Sequence, residues 1–441
     1  MQPRTATDNV YRHALLSSNM FGERVGRPRS DLIRTFHSAT VPCNLPGVDW
    51  VSFQPGPHQN SDQMVAEGPW DILGQRWLFL AICDGYGGPD TARFVADALP
   101  QRLLPALALT IRRHCGGLLD RKNCEEASPH IADMLRAQIV DLDYSLMGAV
   151  QRACPKPKYL ASKEYAMGLI REHASTGVFA RAAQGSTLAM AIIAIEDRFM
   201  WVAGVGNSTV ALSTVDHEGT RRAKRLCTRH TFGNPEEFQR VLAARALSAH
   251  APIDSTHPLL RWSPLTRVIG HVPLKMEHAY MENLFRHVHI DNDVQLSDLV
   301  GKIRLPSYLT AEPEVHFVDL KPVWGRDPVL LLFTEGVDHL VDDSFVFNPG
   351  TSRGVDTLDI VPALLSDSAD STVEAILGHD VLPRWSGAER NRAFDVLGNL
   401  LGGRNTNRLR EVLQKPLSEA ERNRFVIRDT SLIVARFLDM R

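Results

Sequence analysis

Short apolar runs that stop at glycine-bearing turns alternate along this chain with stretches of helical spacing. Trp77 to Cys83 is one such run, halted by Asp84-Gly85-Tyr86-Gly87-Gly88, and it predicts a buried strand with Asp84 at its end. From Thr91 to Leu107 the positions Phe94, Val95, Ala98, Leu99, Leu103 and Leu104 recur at helical spacing, so a helix follows the turn, and a second is expected from His130 to Val150. Ser186 to Ile195 and Phe199 to Val205 are β-rich runs joined by Glu196-Asp197-Arg198, the pattern of a hairpin. Gly206-Asn207-Ser208 then turns into a strand from Thr209 to Ser213.

Residues 232–248 read as helical, whereas 250–310 is polar, proline-bearing and irregular, with no signal for a separate core, and reads as an insertion. Val329 to Thr334 predicts another buried strand, ending at Glu335-Gly336 and followed by a helix start near Val337 to Asp343. A helical stretch over 386–415 and a last strand from Arg428 to Phe437 complete the pattern. Strands, a helix pair, strands, an insertion, a strand, a helix and a strand fit an α+β layered sandwich better than regular βαβ alternation. Asp84, Asn207 and Glu335 each lie just past an apolar strand, and such strand ends can converge on one site.

Composition narrows the function classes. The 441 residues are 23% charged and 44% hydrophobic, with a net charge of −2, as in an ordinary globular protein with a substantial core. Lysine plus arginine (49) nearly balance aspartate plus glutamate (51), so no overall field favours nucleic acid or an anionic membrane. Cys43, Cys83, Cys115, Cys124, Cys154 and Cys227 lack zinc-site or disulfide-framework spacing and are expected to be reduced, in an intracellular protein. No apolar run reaches the roughly 20 residues that span a bilayer, and no secretory apolar segment opens the chain. Residues 1–47 read as a flexible leader or a presequence. Arg4, Arg12, Arg24, Arg27, Arg29 and Arg34 favour the latter, and Asp8, Glu23 and Asp31 oppose it, leaving cytoplasm and mitochondrion both open.

Five segments in order carry a family resemblance. Asp84-Gly85-Tyr86-Gly87-Gly88 resembles the Asp-Gly-His-Gly-Gly signature of protein phosphatase 2C, the PPM type of metal-dependent Ser/Thr phosphatase. Gly185-Ser186-Thr187 is similar to its Gly-Ser-Thr strand, Gly206-Asn207-Ser208 to its Gly-Asp-Ser turn and Thr334-Glu335-Gly336 to its Ser-Asp-Gly. Arg428-Asp429-Thr430-Ser431-Leu432 resembles the closing strand. Tyr308 to Val315 and Arg267-Val268-Ile269-Gly270-His271 are similar to stretches of the pyruvate dehydrogenase phosphatase branch. The resemblance implies one domain over 48–438, with the insertion at about 250–310, folded as an αββα sandwich of two mainly antiparallel sheets flanked by helices.

It also implies chemistry: two Mg²⁺ or Mn²⁺ ions bridging a water that attacks a phosphate monoester on a phosphoprotein, in a site built from carboxylates. By the resemblance Asp84 keeps the bridging carboxylate, Gly85 a carbonyl ligand, and Asp62 the second of an upstream acid pair whose first member is Ser61. Tyr86 stands for the general-acid histidine, and a phenol of pKa about 10 is a poorer donor near neutrality. Asn207 replaces an aspartate, Glu335 keeps a charge on a longer stem, and His271, read as a surface loop histidine, stands where the branch has Asp. Arg428 falls at the position of the final-strand ligand. Asp429 would substitute only if the strand bulged, since regular alternation turns it to the opposite face.

The reading that follows is a pseudophosphatase that binds a phosphoprotein or another protein partner without efficient hydrolysis. The alternative is a slow, divergent phosphatase using Asp84, Glu335 and Asp429. A hydrolase built on His58, His271 or His339 has no ordered motif behind it. In the first reading Arg428 is expected to stand in for metal by pairing with Asp84 or Glu335, because acids placed to face dications repel one another without them.

Overall fold

The computed structural model describes Arg34, Phe36 and residues 45–54, 59–160, 162–246, 263–291, 295–300, 309–342, 353–368, 370–387, 390–413 and 427–440. Along the chain come strands β1 (Val48–Phe53), β2 (Gln63–Ile72), β3 (Gln75–Cys83) and the two-residue β4 (Gly85–Tyr86). Helices α1 (Asp90–His114), α2 (Cys124–Ala153), α3 (Lys163–Glu172) and α4 (Val178–Ala183) follow. Next are β5 (Gly185–Ser186), β6 (Leu188–Ala194), β7 (Phe199–Val205), β8 (Thr209–Val215), β9 (Arg221–Arg225) and α5 (Pro235–Ala246). The second half holds β10 (Ile269–Gly270), α6 (His278–Asn283), α7 (Leu296–Leu299), β11 (Glu314–Asp319), β12 (Val329–Phe333) and α8 (Glu335–Asp342). Helices α9 (Thr357–Leu364), α10 (Ser371–Leu377), α11 (Arg392–Leu401) and α12 (Thr406–Leu413) precede β13 (Thr430–Arg436).

Two five-stranded sheets carry the fold, one in the order β1-β13-β12-β8-β9 and the other β11-β7-β6-β3-β2, with every pairing antiparallel. Alternation along β3 explains the layering. Leu78, Leu80 and Ile82 turn inward against Val48, Val210, Leu330, Leu332 and Ile433 of the facing sheet. Trp77, Phe79, Ala81 and Cys83 turn outward and are covered by Val95, Leu99, Leu103 and Leu107 of α1 and Ile131, Leu135, Ile139 and Leu142 of α2. On the other outer face Val51, Phe53, Leu331, Phe333, Leu432 and Val434 pack under α8, α9 and α11. Strands buried on both sides read as unbroken apolar runs, as Trp77–Cys83 does. The α+β sandwich expected from the element order is the architecture observed.

Three expectations need correction. Residues 263–291 are not a polar excursion: Leu265, Val268, Ile269, Val272, Leu274, Tyr280, Met281, Leu284 and Phe285 are buried in the same core as α1 and α2, while 250–262, 292–294 and 301–308 of the expected insertion lie outside the described residues. Their short 3₁₀ and α turns give no sustained period for a pattern search to find. The helix expected over 386–415 is two, α11 and α12, because Gly402 and Gly403 take φ of 155° and 54° between them. A Cβ on Gly403 would lie 2.3 Å from the Asp380 carbonyl oxygen, so only glycine fits. Within the stretch read as a leader, Phe36 is fully buried and packs on Phe53, Trp385 and Phe394, with ring centroids 5.0, 5.2 and 4.7 Å away. That part of the stretch belongs to the core.

By length and composition α1 is apolar enough to cross a bilayer, but here its apolar face covers a sheet. Among the described residues five cysteines are present and none is in a disulfide.

Candidate active site

The β2–β3 ladder pairs Gln63 with Cys83, so Asp62 and Asp84 emerge side by side, one residue beyond its end. Asp62 is positioned by an Asx turn in which Asn60 Oδ1 accepts from the Asp62 amide at 2.9 Å. The opposite sheet delivers the remaining groups. Phe53 pairs with Thr430, which sets Gln54 and Asp429 next to each other, and Gln54 Nε2 donates to Asp429 Oδ1 at 2.7 Å. Asp429 Oδ2 accepts from the Ser61 amide at 2.7 Å. Thr334 Oγ1, at the end of β12, donates to Asp62 Oδ2 at 3.1 Å and accepts from the Ser431 amide at 3.0 Å.

Two glycines let these segments meet. A Cβ on Gly336 would lie 2.2 Å from the Asp429 carbonyl oxygen, and one on Gly85 would lie 2.8 Å from the Ser61 carbonyl oxygen. This close backbone approach needs a residue without a side chain.

The carboxyls strain one another electrostatically. Burial and then the Asp429 carboxylate push the Asp62 carboxyl up to about 8. Asp84 is held well above its ordinary range by burial, then by Asp62, Glu335 and Asp429. Asp62 Oδ1 and Asp84 Oδ2 are buried and have no hydrogen-bond partner.

The other half of the cleft is closed by polar contacts. Tyr86 Oη donates to Asn207 Oδ1 at 3.3 Å and accepts from Asn207 Nδ2 at 3.0 Å; Asn207 Nδ2 also donates to Glu335 Oε2. Glu335 Oε1 in turn accepts from Arg428 Nη1 at 3.0 Å, with the two side chains 15% and 48% exposed. Burial, then the charges of Glu335 and Asp84, hold the Tyr86 phenol well above 10, so it stays protonated. Burial pulls the Arg428 guanidinium down, but Glu335, Tyr86 and Asp84 more than offset it.

All of the expected site residues are therefore near the strand ends, with two differences. Asp429 needs no bulge to reach the acids. Residues 427–429 precede β13, so strict alternation does not apply, and it is the Asp429 carboxylate, not the Arg428 guanidinium, that acts on Asp62. His271 is not a surface residue. It is 2% exposed, takes φ of 47°, and its ring packs where a Cβ on Gly185 would come within 2.4 Å of Nε2. Burial and then Lys275 hold it neutral. His339 lies half-buried on α8, and His58 lies outside the described residues. Gln54 was missed because it acts across 375 residues of chain, a relation that no local pattern encodes.

The donor set can be compared with the two-ion centre that the resemblance implies. Two unpartnered buried carboxylate oxygens with Asp429 beside them offer hard oxygen donors to one divalent ion at the Asp62–Asp84 corner. Among the described residues no three such side chains already converge on one point, and Glu335 is committed to Arg428 and Asn207. The residues fit one ion there, and they do not fit a pair.

The Arg428–Glu335 pair is half exposed, so Arg428→Ala should lower stability by about 1 kcal/mol or less. Arg428→Asp should instead tighten Mn²⁺ binding by returning an acid to Glu335's side of the cleft. A calorimetric Mn²⁺ titration checks this, and equal affinities in the two proteins would show that Arg428 does not oppose metal.

A family model described as protein phosphatase 2C matches residues 150–346. The Arabidopsis thaliana protein called "Probable protein phosphatase 2C 63" is 26% identical over 285 residues, which span 61% of this chain and 58% of that relative. Among solved structures, a serine-threonine phosphatase 2C from Toxoplasma gondii aligns with a TM-score of 0.48 and 14% identity, covering 90% of this chain and 98% of that one. A C. elegans sex determining protein aligns at 0.43 and 14%, covering 90% and 65%. The segment matched by the family model includes Gly185-Ser186-Thr187, Gly206-Asn207-Ser208 and Thr334-Glu335-Gly336, three of the five segments that carry the resemblance, so this part of the chain is similar to protein phosphatase 2C.

Proposed function

We propose that this protein is a pseudophosphatase, a phosphatase-fold protein that binds a phosphoprotein or another protein partner without efficient hydrolysis. The observation that carries the reading is the Arg428–Glu335–Asn207–Tyr86 chain, which commits Glu335 to a guanidinium and an amide. When bound, divalent ions in such a centre polarise a phosphoryl oxygen and generate a nucleophilic hydroxide. Here a guanidinium neutralises Glu335, an amide stands at position 207, and the group facing the leaving oxygen is a phenol whose proton is held tightly. Each change removes a different contribution, and a live enzyme would need all of them compensated together.

One observation favours the second reading, a slow metal-dependent Ser/Thr phosphatase: the Asp429 carboxylate raises the carboxyls of both Asp62 and Asp84, so acidic groups still face one another across that corner. The stretches similar to the pyruvate dehydrogenase phosphatase branch point to a phosphorylated mitochondrial dehydrogenase as the substrate or partner in that case. Hydrolysis of a phosphothreonine peptide and of a small aryl phosphate in Mn²⁺ or Mg²⁺ decides between the two. The expected rate is at background. Robust turnover in Mn²⁺ that disappears in Asp84→Asn would establish the slow enzyme instead.

A further inference from the structure

Helices α1, α2 and α4 border a cavity of about 240 Å³, open to solvent, that shares no lining residue with the Asp62–Asp84–Glu335 cleft. Phe94, Leu146, Ala149 and Val178 supply apolar walls, and Arg152 and Arg181 stand at the same cavity. Arg181 Cζ lies 5.0 Å from the centroid of the Phe94 ring, and Nη2 donates to the Thr176 carbonyl at 3.0 Å, which fixes the guanidinium against the wall. Neither arginine forms an ion pair with a carboxylate among the described residues. Two guanidiniums beside an apolar pocket present charge for an anion next to a surface that favours hydrocarbon.

We infer that this cavity is a binding site for a small aliphatic carboxylate, with its tail against Phe94, Leu146, Ala149 and Val178 and its head on Arg152 and Arg181. The volume sets the size. A cavity of about 240 Å³ suits a short aliphatic chain, and hexanoate is the probe chosen from that class. A neutral chain of equal length would gain the apolar contact but not the charge-assisted hydrogen bonds, and a cationic one would be repelled.

Equilibrium dialysis of labelled hexanoate against the full chain tests this, with 1-hexanol and hexylamine as controls. Saturable hexanoate binding is expected, at least tenfold tighter than 1-hexanol. Arg152→Ala, a change at an exposed side chain, and Arg181→Gln should each weaken binding at least tenfold, while Ala149→Phe, which fills the cavity, should abolish it. Melting of each unliganded variant shows that its fold is intact. The proposal is overturned if hexanoate is not retained, if 1-hexanol binds as tightly, or if folded Ala149→Phe or the Arg152→Ala/Arg181→Gln double variant still binds like the parent.

Discussion

Replacing Lys275 by methionine is expected to destabilise the fold by about 3–5 kcal/mol, because it strands a buried charge. Lys275 Nζ donates to Asp143 Oδ1 and Oδ2 at 2.9 and 2.8 Å and to the Val268 carbonyl at 2.7 Å, with both side chains about 95% buried. The Gly270 amide completes the shell of Asp143 at 2.7 Å. The pair pins α2 to β10, and β10 pairs with β5, which pairs with the strand carrying Tyr86. Burial lowers the pKa of Lys275, and the Asp143 carboxylate opposes that shift. With the lysine gone, Asp143 must either remain charged in an apolar setting or take up a proton. The Lys275→Met/Asp143→Leu double variant removes both charges and should regain most of the loss, which urea denaturation of the three variants measures. A Lys275→Met midpoint equal to the parent's would mean that the pair contributes nothing to stability.

Raising the pH from 4 to 8 in chelator should cost the metal-free protein several kcal/mol, from the coupled Asp62 and Asp84 carboxyls. The sign follows from the direction of the shift. The Asp62 carboxyl has an ordinary value of 3.8 and is pushed up to about 8 in the folded state. The folded state therefore binds its proton more tightly. The stability this contributes is fully present below the unfolded value near 4 and is lost as pH rises through the folded value. Asp84, raised for the same reasons, adds to the slope. Asp62→Asn should flatten part of the profile and raise the melting temperature at pH 7.5, since an amide there has no charge to bury, while the burial of Asp84 keeps a residual slope. Calorimetric scans of parent and variant at pH 5, 6.5 and 8 provide the check. A parent profile that stays level across this range would show that the acids are relieved by something other than protonation. Mn²⁺ binding at the corner would work in the opposite sense, stabilising the parent at pH 8 and leaving Asp62→Asn unchanged.

The architecture was legible because burial on both faces of a strand leaves a local mark. Trp77–Cys83, Phe199–Val205 and Val329–Phe333 are apolar at every position, and each ends at a polar residue that the fold carries to the cleft. The helices over α1 and α2 announced themselves for a similar reason, since one face of each covers a sheet and the apolar positions recur at the helical period. The edge strands β2 and β11 went unseen. β2 is mostly half-exposed or exposed, and β11 alternates weakly, so neither has a run to detect.

Within the site, the sequence by itself determined which residue types stand at the strand ends: Asp84 before a glycine-rich turn, Asn207 for an acid, Glu335 for an aspartate, Tyr86 for a histidine, and the neighbours Arg428 and Asp429. Tertiary structure alone decided which of those neighbours meets which acid. Asp429 is placed by Gln54 and the Ser61 amide, groups more than 360 residues away in sequence, while Arg428 is drawn to Glu335. A period-two rule failed there because the two residues lie outside the strand whose alternation it assumes. The burial of His271 was hidden for the same physical reason: its environment is made by Gln184, Gly185 and the Tyr86 backbone, contributed by other parts of the chain. Local patterning records how a segment partitions between core and water, whereas the direction of a charged side chain at a strand end depends on what other segments bring to meet it.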